Sequence, residues 1–520
     1  MKTLPQLFTH AAARFAAHPA LIEPGEDGEL STLTYRELQE RAQRFAGYLQ
    51  QQGCKKNERI MIWSASRSDW LVAHLGALTV GMVVVPLDVN SREDFVARIA
   101  ETTEARYLVT TRKQYQSLQQ PPVPLIDIDT LPQASLDATQ LPQIEENDLA
   151  ELVFTSGTTG QPKGVMLSHY NIVSNATAVV TVVDMQAGER ELSILPLSHM
   201  FEMTIQIALI HSGASIIYAR TLAPEKLLRL LSSQQVTCMV LVPQALQLLL
   251  SGIEREVRRQ HKERQWALLH RLAPLLPFSL RRYLFRSVHQ RFGGRFRFFV
   301  SGGAYLSPAL AQRWEHMGFR VLQGYGATEC SPIITATPFR DHNLETVGKP
   351  LPGVEVRIAE DQEVQVRGPN VAQGYWKNAE ATAAAFQNGW YSTGDLGYLD
   401  DQQHLYLKGR KKNLIVLANG MNVYPEDIEN ILNSMAGVKE AVVIGLTDHD
   451  QGQTVHAILL TDTPDKAKAI VQQANKQLAA HQQIKGFTIW RQPDFPRTHT
   501  LKVKRQEVLD TIHNNKREEA

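Results

Sequence analysis

The densest concentration of residues able to do chemistry is the segment 152–165, LVFTSGTTGQPKGV. An apolar run, the signature of a buried strand, leads into a loop carrying three glycines, four hydroxyl residues and Lys163. Glycines let backbone N–H groups turn toward an anion, the hydroxyls of Thr155, Ser156, Thr158 and Thr159 add donors, and Lys163 adds positive charge. That is the chemistry of a phosphate cradle. A Walker A loop is excluded by spacing, because Pro162 and Gly164 stand where that motif needs Gly and Ser or Thr. The competing reading, a flexible hairpin turn, does not call for so many donors beside one lysine.

Other segments carry polar residues in suggestive settings: LPLSHMF at 195–201, SGGA at 301–304, GYGATE at 324–329, YSTGD at 391–395, GRKK at 409–412 and TLKVKR at 500–505. Each alone has a bland explanation. Tyr325 could be a core aromatic, Asp395 a turn residue after Gly394, His199 a structural histidine, and Lys502 a solvated lysine beside Lys504 and Arg505.

Together, and in this order, the segments resemble the adenylate-forming superfamily of acyl-CoA synthetases, firefly luciferase and the adenylation domains of peptide synthetases. Residues 155–164 match that family's phosphate loop throughout, and the resemblance covers nearly the whole chain. Long-chain fatty acyl-CoA synthetases are most similar. The residues 196–202, a basic helix-rich insertion at 254–297, and Leu501 where most relatives have Gly all resemble that branch.

The resemblance implies a two-step reaction. A carboxylate attacks the α-phosphate of ATP to give an acyl-adenylate and pyrophosphate, and the thiol of coenzyme A then displaces AMP. Aligning two anions and neutralising a triphosphate is the physical demand of the first step. By resemblance, Thr155, Ser156, Gly157, Thr158, Thr159, Gly160 and Lys163 hold the β- and γ-phosphates. Thr328 contacts the α-phosphate, Glu329 holds Mg²⁺, and Lys502 stabilises the charge between carboxylate and phosphate. Gly302, Gly303 and Ala304 approach the adenine, with Gly324, Tyr325 and Gly326 beside it, and Asp395 and Arg410 take the ribose. Lys412 is the implied hinge about which a C-terminal domain turns. That turn exchanges Lys502 for the loop 418–423, whose Gly420, Met421 and Asn422 guide the pantetheine of coenzyme A. His199 stands at the family's gate near the reactive carboxylate, and Ala245 and Leu246 are placed at the acyl pocket.

These residues need elements to hold them. Amphipathic helical patterns alternate with short β-branched runs over the first 400 residues: helix over 34–50, strand over Arg59–Trp63, strand over 193–195, helix over 226–232. The pattern predicts a layered α/β fold. The apolar stretch 70–89 contains His74 and Gly81 and reads as a helix, a glycine turn and a buried strand, not as a membrane span. The proline-studded stretch 116–148 reads as a long surface connection. After the basic run 408–412 the remainder predicts a small α+β unit, with a helix opening at Pro425, strands over 441–446 and 455–460, and a helix over 466–480. The expected division is therefore a large α/β adenylate-forming domain, 1–408, and a mobile α+β lid domain, 409–520, carrying Lys502.

Composition narrows the partners. In 520 residues, 54 Lys and Arg balance 53 Asp and Glu, so no overall field calls for nucleic acid. Cys54, Cys238 and Cys330 are few, odd in number and far apart, which fits neither a disulfide framework nor a metal knuckle and points to a reducing cytoplasm. The N-terminus has no long apolar core and no cleavage site, so no secretory signal is expected. The insertion 254–297 holds twelve Lys and Arg against three Asp and Glu, a local net charge of +9, interleaved with leucines and aromatics. Such a surface suits contact with anionic lipid at the inner face of the membrane, or it is a core-facing stripe with a solvated basic side. A homodimer is compatible with all of these readings. The expected partners are a fatty acid, ATP and coenzyme A, with transfer to a carrier-protein phosphopantetheine or a non-catalytic lipid- or nucleotide-binding protein as alternatives.

Overall fold

The computed structural model describes all residues except 26–28, 156–161, 222, 341–342, 420, 449–451, 498–502 and 519–520. The chain forms two compact units, Met1–Val356 with Val366–Tyr391, and Arg357–Gln365 with Ser392–Ala520. It is a mixed α/β protein with a large N-terminal and a smaller C-terminal part. The boundary expected at 408/409 falls inside the second unit, because Leu399 pairs with Leu405 and Asp395 with Arg410 in one antiparallel ladder.

Two sheets dominate the first unit. One has nine strands, in the order Lys349–Pro350, Ile333–Ala336, Arg320–Gly326, Phe298–Ser301, Cys238–Leu241, Arg190–Ser193, Ser215–Tyr218, Pro19–Pro24 and Leu30–Thr34. Its centre is parallel and its edges antiparallel. Parallel strands are buried on both faces, so they read as unbroken apolar runs such as Phe298–Ser301. The strand expected at 193–195 is Arg190–Ser193, set by its register on Ser215–Tyr218. Six strands make the other sheet: Leu125–Asp127, Tyr107–Thr110, Arg59–Trp63, Val83–Leu87, Leu149–Thr155 and Lys163–Ser168.

Stretch 70–89 forms the helix Ser68–Thr79, a turn at Gly81 and the buried strand Val83–Leu87. No described helix is long and apolar enough to cross a membrane. The connection 116–148 is more than a surface loop. It contributes the strand Leu125–Asp127, and Ala134 N donates to Arg44 O across the helix Tyr35–Gln51 at 2.9 Å.

In the second unit the strands Val438–Asp448 and Gly452–Thr461 pair antiparallel, and Gly486–Ile489 adds in parallel. The helix Pro425–Asn433 opens on proline with Glu426 and Asp427 in its first turn, as the dipole favours. The helix expected over 466–480 is shorter, Ala467–Asn475, with a 3₁₀ turn beyond it.

Candidate active site

The glycine loop closes a β-hairpin. Leu149–Thr155 pairs antiparallel with Lys163–Ser168, placing Thr155 opposite Lys163 at the mouth of the loop. Ser156, Gly157, Thr158, Thr159 and Gly160 lie outside the described residues. Lys163 stands half-buried at the start of the second strand.

Three segments far apart in sequence meet at Gly302. This residue follows the strand Phe298–Ser301, and a Cβ on it would lie 2.9 Å from the Phe201 ring and 3.2 Å from Gly324 O. Only glycine permits that approach. The segments at 195–201, 301–304 and 324–329 therefore share one locus, with Gly303 and Ala304 exposed beside it. Tyr325 is half-buried in the strand Arg320–Gly326, opposite Thr335. A side chain at Gly326 would collide with Pro332 O, and Ala327 N donates to that same oxygen at 2.9 Å. This tight return puts Thr328 and Glu329, both half-buried, on a single 3₁₀ turn, Thr328–Cys330.

Glu329 is held from a segment that sequence reasoning missed. Tyr375 Oη donates to Glu329 Oε1 at 2.9 Å, and the same ring lies under Lys163, whose Nζ is 5.0 Å from its centroid. Burial, reinforced by the Glu329 charge, raises the Tyr375 phenol well above its ordinary range, so it is a hydrogen-bond donor at neutral pH. The available signal was Asn378, two residues beyond Gly374-Tyr375-Trp376, whose side chain caps the helix Ala379–Ala385. A lone aromatic before a cap does not announce such a role.

A divalent cation would meet oxygen donors here, Glu329 and Thr328. Cys330 is no competitor, since burial holds its thiol protonated. Among the described residues no cluster of three or more His, Cys, Asp or Glu could hold a metal. One carboxylate with room for substrate oxygens and water suits Mg²⁺, which is seldom held by an all-protein cage.

His199 is the residue before the helix Met200–Ser212; its side chain is about one-third exposed, and its Nε2 lies 3.5 Å from Asp88 Oδ2. Ser66 Oγ anchors the preceding segment, donating to Leu195 O at 3.1 Å and accepting from Leu197 N at 2.9 Å. Leu246 is fully buried in a core cluster with Leu241, Leu250 and Phe299, and Ala245 packs at the edge of that cluster.

Along the same helix, Glu202 is fully buried, accepting from Ser193 Oγ and, at 2.8 Å, from Gln206 Nε2. Burial raises its carboxyl to about 7, and burial together with the Glu202 charge pushes Glu191 well above the carboxylate range. Tyr218 completes the network by donating to Gln206 Oε1 at 2.8 Å. The folded state therefore binds protons that the unfolded chain releases above the ordinary glutamate value of 4.5. Stability falls as pH rises toward 7, by on the order of 3 kcal/mol for Glu202. Thermal denaturation followed from about pH 5 to about pH 8 should show that fall, and Glu202→Gln should lessen it, with buried Glu191 leaving a residual slope. An unchanged slope in the variant would remove Glu202 as its source.

In the second unit, Arg410 Nε pairs with Asp395 Oδ1 at 2.7 Å. The Asp395 backbone is held by Thr393, whose Oγ1 accepts from Asp395 N at 3.0 Å and donates to Val364 O at 2.8 Å. Asp395 is thus a strand residue facing an arginine, not a turn residue. Lys411 is engaged by Asp361 at 2.6 Å and Glu363 at 3.0 Å. Lys412 is exposed by surface area, yet partial desolvation lowers its ammonium pKa, with Arg410 and Arg505 adding repulsion. Met421 and Asn422 are exposed at the short pairing of Ile415–Val416 with Asn422–Val423. Gly420 and Lys502 lie outside the described residues.

The profile of the AMP-binding enzyme matches residues 8–376, and that of the AMP-binding enzyme C-terminal domain matches 427–502. The chain belongs to the AMP-binding enzyme family. This AMP-binding enzyme is 32% identical to the long-chain-fatty-acid–CoA ligase FadD15 of Mycobacterium bovis, over 76% of this chain and 72% of that one. It superposes with a TM-score of 0.83 on ATP-bound MatB from Rhodopseudomonas palustris, at 25% identity over 98% of each chain. Against the o-succinylbenzoate coenzyme A synthetase MenE from Bacillus subtilis, in complex with ATP and magnesium ion, the TM-score is 0.80 at 26% identity, covering 96% of this chain and 98% of that one. The AMP-binding enzyme is thus a member of an acyl-CoA ligase family whose relatives differ in their acids.

Proposed function

We propose that the protein is an ATP-dependent, AMP-forming fatty acid–CoA ligase that prefers long chains. The observation that carries this reading is the meeting, in the first unit, of Lys163, Tyr375 and Glu329, together with the approach of Phe201 and Gly324 to Gly302. These are the cation, oxygen ligand and glycine-lined locus that a nucleotide triphosphate demands. Long-chain specificity is supported by the likeness to FadD15.

In the first half-reaction the fatty acid carboxylate oxygen bonds to the α-phosphorus and the bond to the β-phosphate oxygen breaks, releasing pyrophosphate. Thr155 through Lys163 would hold the β- and γ-phosphates, and Thr328 the α-phosphate. Glu329 would hold Mg²⁺, which when bound would neutralise charge on the triphosphate. Gly302, Gly303, Ala304, Gly324, Tyr325 and Gly326 would take the adenine, and the Asp395 carboxylate, oriented by Arg410, would accept the ribose hydroxyls. Lys502 would stand between the two reacting anions, and His199 would position the acyl carboxylate. In the second half-reaction the thiol of coenzyme A attacks the acyl carbon and AMP leaves. A turn about Lys412 would replace Lys502 by the loop 418–423, with Gly420, Met421 and Asn422 along the pantetheine. Ala245 and Leu246 would border the acyl chain.

The test is a panel of carboxylic acids of graded length with ATP and Mg²⁺, scored for pyrophosphate with and without coenzyme A. Pyrophosphate release and acyl-CoA formation, strongest on long acids, is the expected result. Activity confined to short or aromatic acids would overturn the long-chain reading, and no turnover at all would overturn the ligase.

The reading extends to the place where the substrate resides. Within 254–297, Leu268, Leu272, Leu275, Leu280 and Tyr283 are 41–79% exposed, while Phe285, Val288 and Phe292 fill the core. Two of the segment's three acids are occupied, Glu254 by Arg313 and Glu256 by Arg259 and Arg291, so the exposed face stays positive. An apolar face ringed by arginines suits the anionic, inner surface of a cytoplasmic membrane, where fatty acids partition. Cosedimentation with phosphatidylglycerol vesicles should fall about tenfold in Leu275→Asp/Tyr283→Ser. Binding that survives both changes would defeat this extension without touching the ligase.

A further inference from the structure

One aromatic side chain touches both of two opposite charges that the proposed reaction must keep available. The Lys163 ammonium lies 5.0 Å from the centroid of the Tyr375 ring, and the Tyr375 hydroxyl donates to Glu329 Oε1 at 2.9 Å. A cation over an aromatic face is attracted by the ring quadrupole, and a phenol donating to a carboxylate makes a charge-assisted hydrogen bond. Among the described residues no ion pair joins Lys163 to Glu329. Half-buried as both are, an ammonium and a carboxylate this near to one ring would attract each other strongly if nothing separated them.

Tyr375 has little freedom to leave. Its own N–H donates to Thr382 Oγ1 at 2.9 Å. On either side, Met166 N donates to Gly374 O at 3.0 Å and Trp376 N to Gly164 O at 2.7 Å, clipping residues 374–376 to the strand that begins with Lys163. Three residues earlier, Ala372 N donates to Glu329 O at 2.8 Å. The segment 372–376 therefore ties the lysine strand to the glutamate turn by backbone bonds and brings one side chain into contact with both charged groups.

We propose that Tyr375 is a positioning residue acting as a spacer. Its face holds Lys163 for the triphosphate, its hydroxyl holds one oxygen of Glu329 so that the other serves the divalent cation, and its bulk prevents the two charges from cancelling. The inference rests on the assignment of Lys163 and Glu329 given above, and it adds a role for a residue that contacts neither phosphate nor metal.

The test is equilibrium binding without turnover. ATP binding without metal is measured by calorimetry, and Mn²⁺, as a probe for the divalent site, is titrated with ATP present and followed by electron paramagnetic resonance. Tyr375→Phe keeps the ring and loses the hydroxyl; metal affinity should weaken about tenfold while metal-free ATP affinity stays within about threefold. Tyr375→Ala removes the spacer and should weaken metal-free ATP binding about tenfold or more, because Lys163 collapses onto Glu329. Adding Glu329→Gln to Tyr375→Ala should restore metal-free ATP binding toward wild type, an outcome that simple misfolding cannot give. Unchanged ATP binding in Tyr375→Ala, or no rescue in the double variant, would overturn the spacer. Should Tyr375→Ala fail to fold, unchanged metal binding in Tyr375→Phe would overturn the hydroxyl's part. Lys163→Ala is the separating control: ATP binding left intact would overturn the phosphate assignment and the spacer with it, whereas ATP binding lost in Lys163→Ala but kept in Tyr375→Ala would overturn the spacer alone.

Discussion

Lys502→Ala is expected to slow pyrophosphate release from ATP and a fatty acid by about 10²- to 10³-fold, while thioester formation from preformed acyl-adenylate stays near the wild-type rate. The asymmetry follows from the charges in the two half-reactions. In the first, a carboxylate must approach an α-phosphate of like sign, and a fixed ammonium between them stabilises the transition state more than the separated ground state. In the second, the attacking group is a thiol and the acceptor an acyl carbon already activated by AMP, so that ammonium has no corresponding task. Both half-reactions can be followed separately, with pyrophosphate and acyl-CoA as readouts. Equal losses in the two would remove Lys502 from the first step and leave it a solvated neighbour of Lys504 and Arg505.

Glu329→Gln should be nearly as damaging, lowering pyrophosphate release by about 10²-fold and raising the Mg²⁺ concentration for half-maximal rate by about 10- to 100-fold. The substitution is close to isosteric: glutamine keeps an oxygen for the Tyr375 hydroxyl, which now donates to Glu329 Oε1 at 2.9 Å. The loss therefore reports the missing negative charge. A hard dication needs anionic oxygen to offset its dehydration, and among the described residues Glu329 belongs to no group of three or more His, Cys, Asp or Glu that could hold the cation without it. Thioester formation from preformed acyl-adenylate should be much less affected, since pyrophosphate has already left. A metal dependence identical to wild type would show that the cation is held elsewhere.

How much was legible in advance differs from residue to residue. The strand pair flanking the glycine loop was readable because its grammar is local: an apolar strand, a glycine- and hydroxyl-rich stretch, and a lysine, with Thr155 in register opposite Lys163. The helix, turn and strand over 70–89 were readable for the same reason. Tyr375 was not, because its meaning lies in Glu329, 46 positions away, and in Lys163 on another strand. Asp395 looked like a turn residue because Gly394 precedes it; only the pairing with Arg410 across a ladder makes it a held carboxylate. Within 254–297, charge and leucine content were plain, yet Leu268 and Leu269 are neighbours in sequence, and only packing turns the first to solvent and the second toward the core.

Residue types, their spacing and the order of the segments settle the family, the α/β class and the chemical classes of ligand, because turn chemistry, periodicity and donor density act over a few residues and survive without any tertiary context. Which groups share a site is decided only by folding. Gly302, Phe201 and Gly324 meet, one tyrosine touches both a lysine and a glutamate, and burial raises the Glu202 carboxyl to about 7. Each of these depends on burial and on contacts between distant segments, which no local pattern encodes.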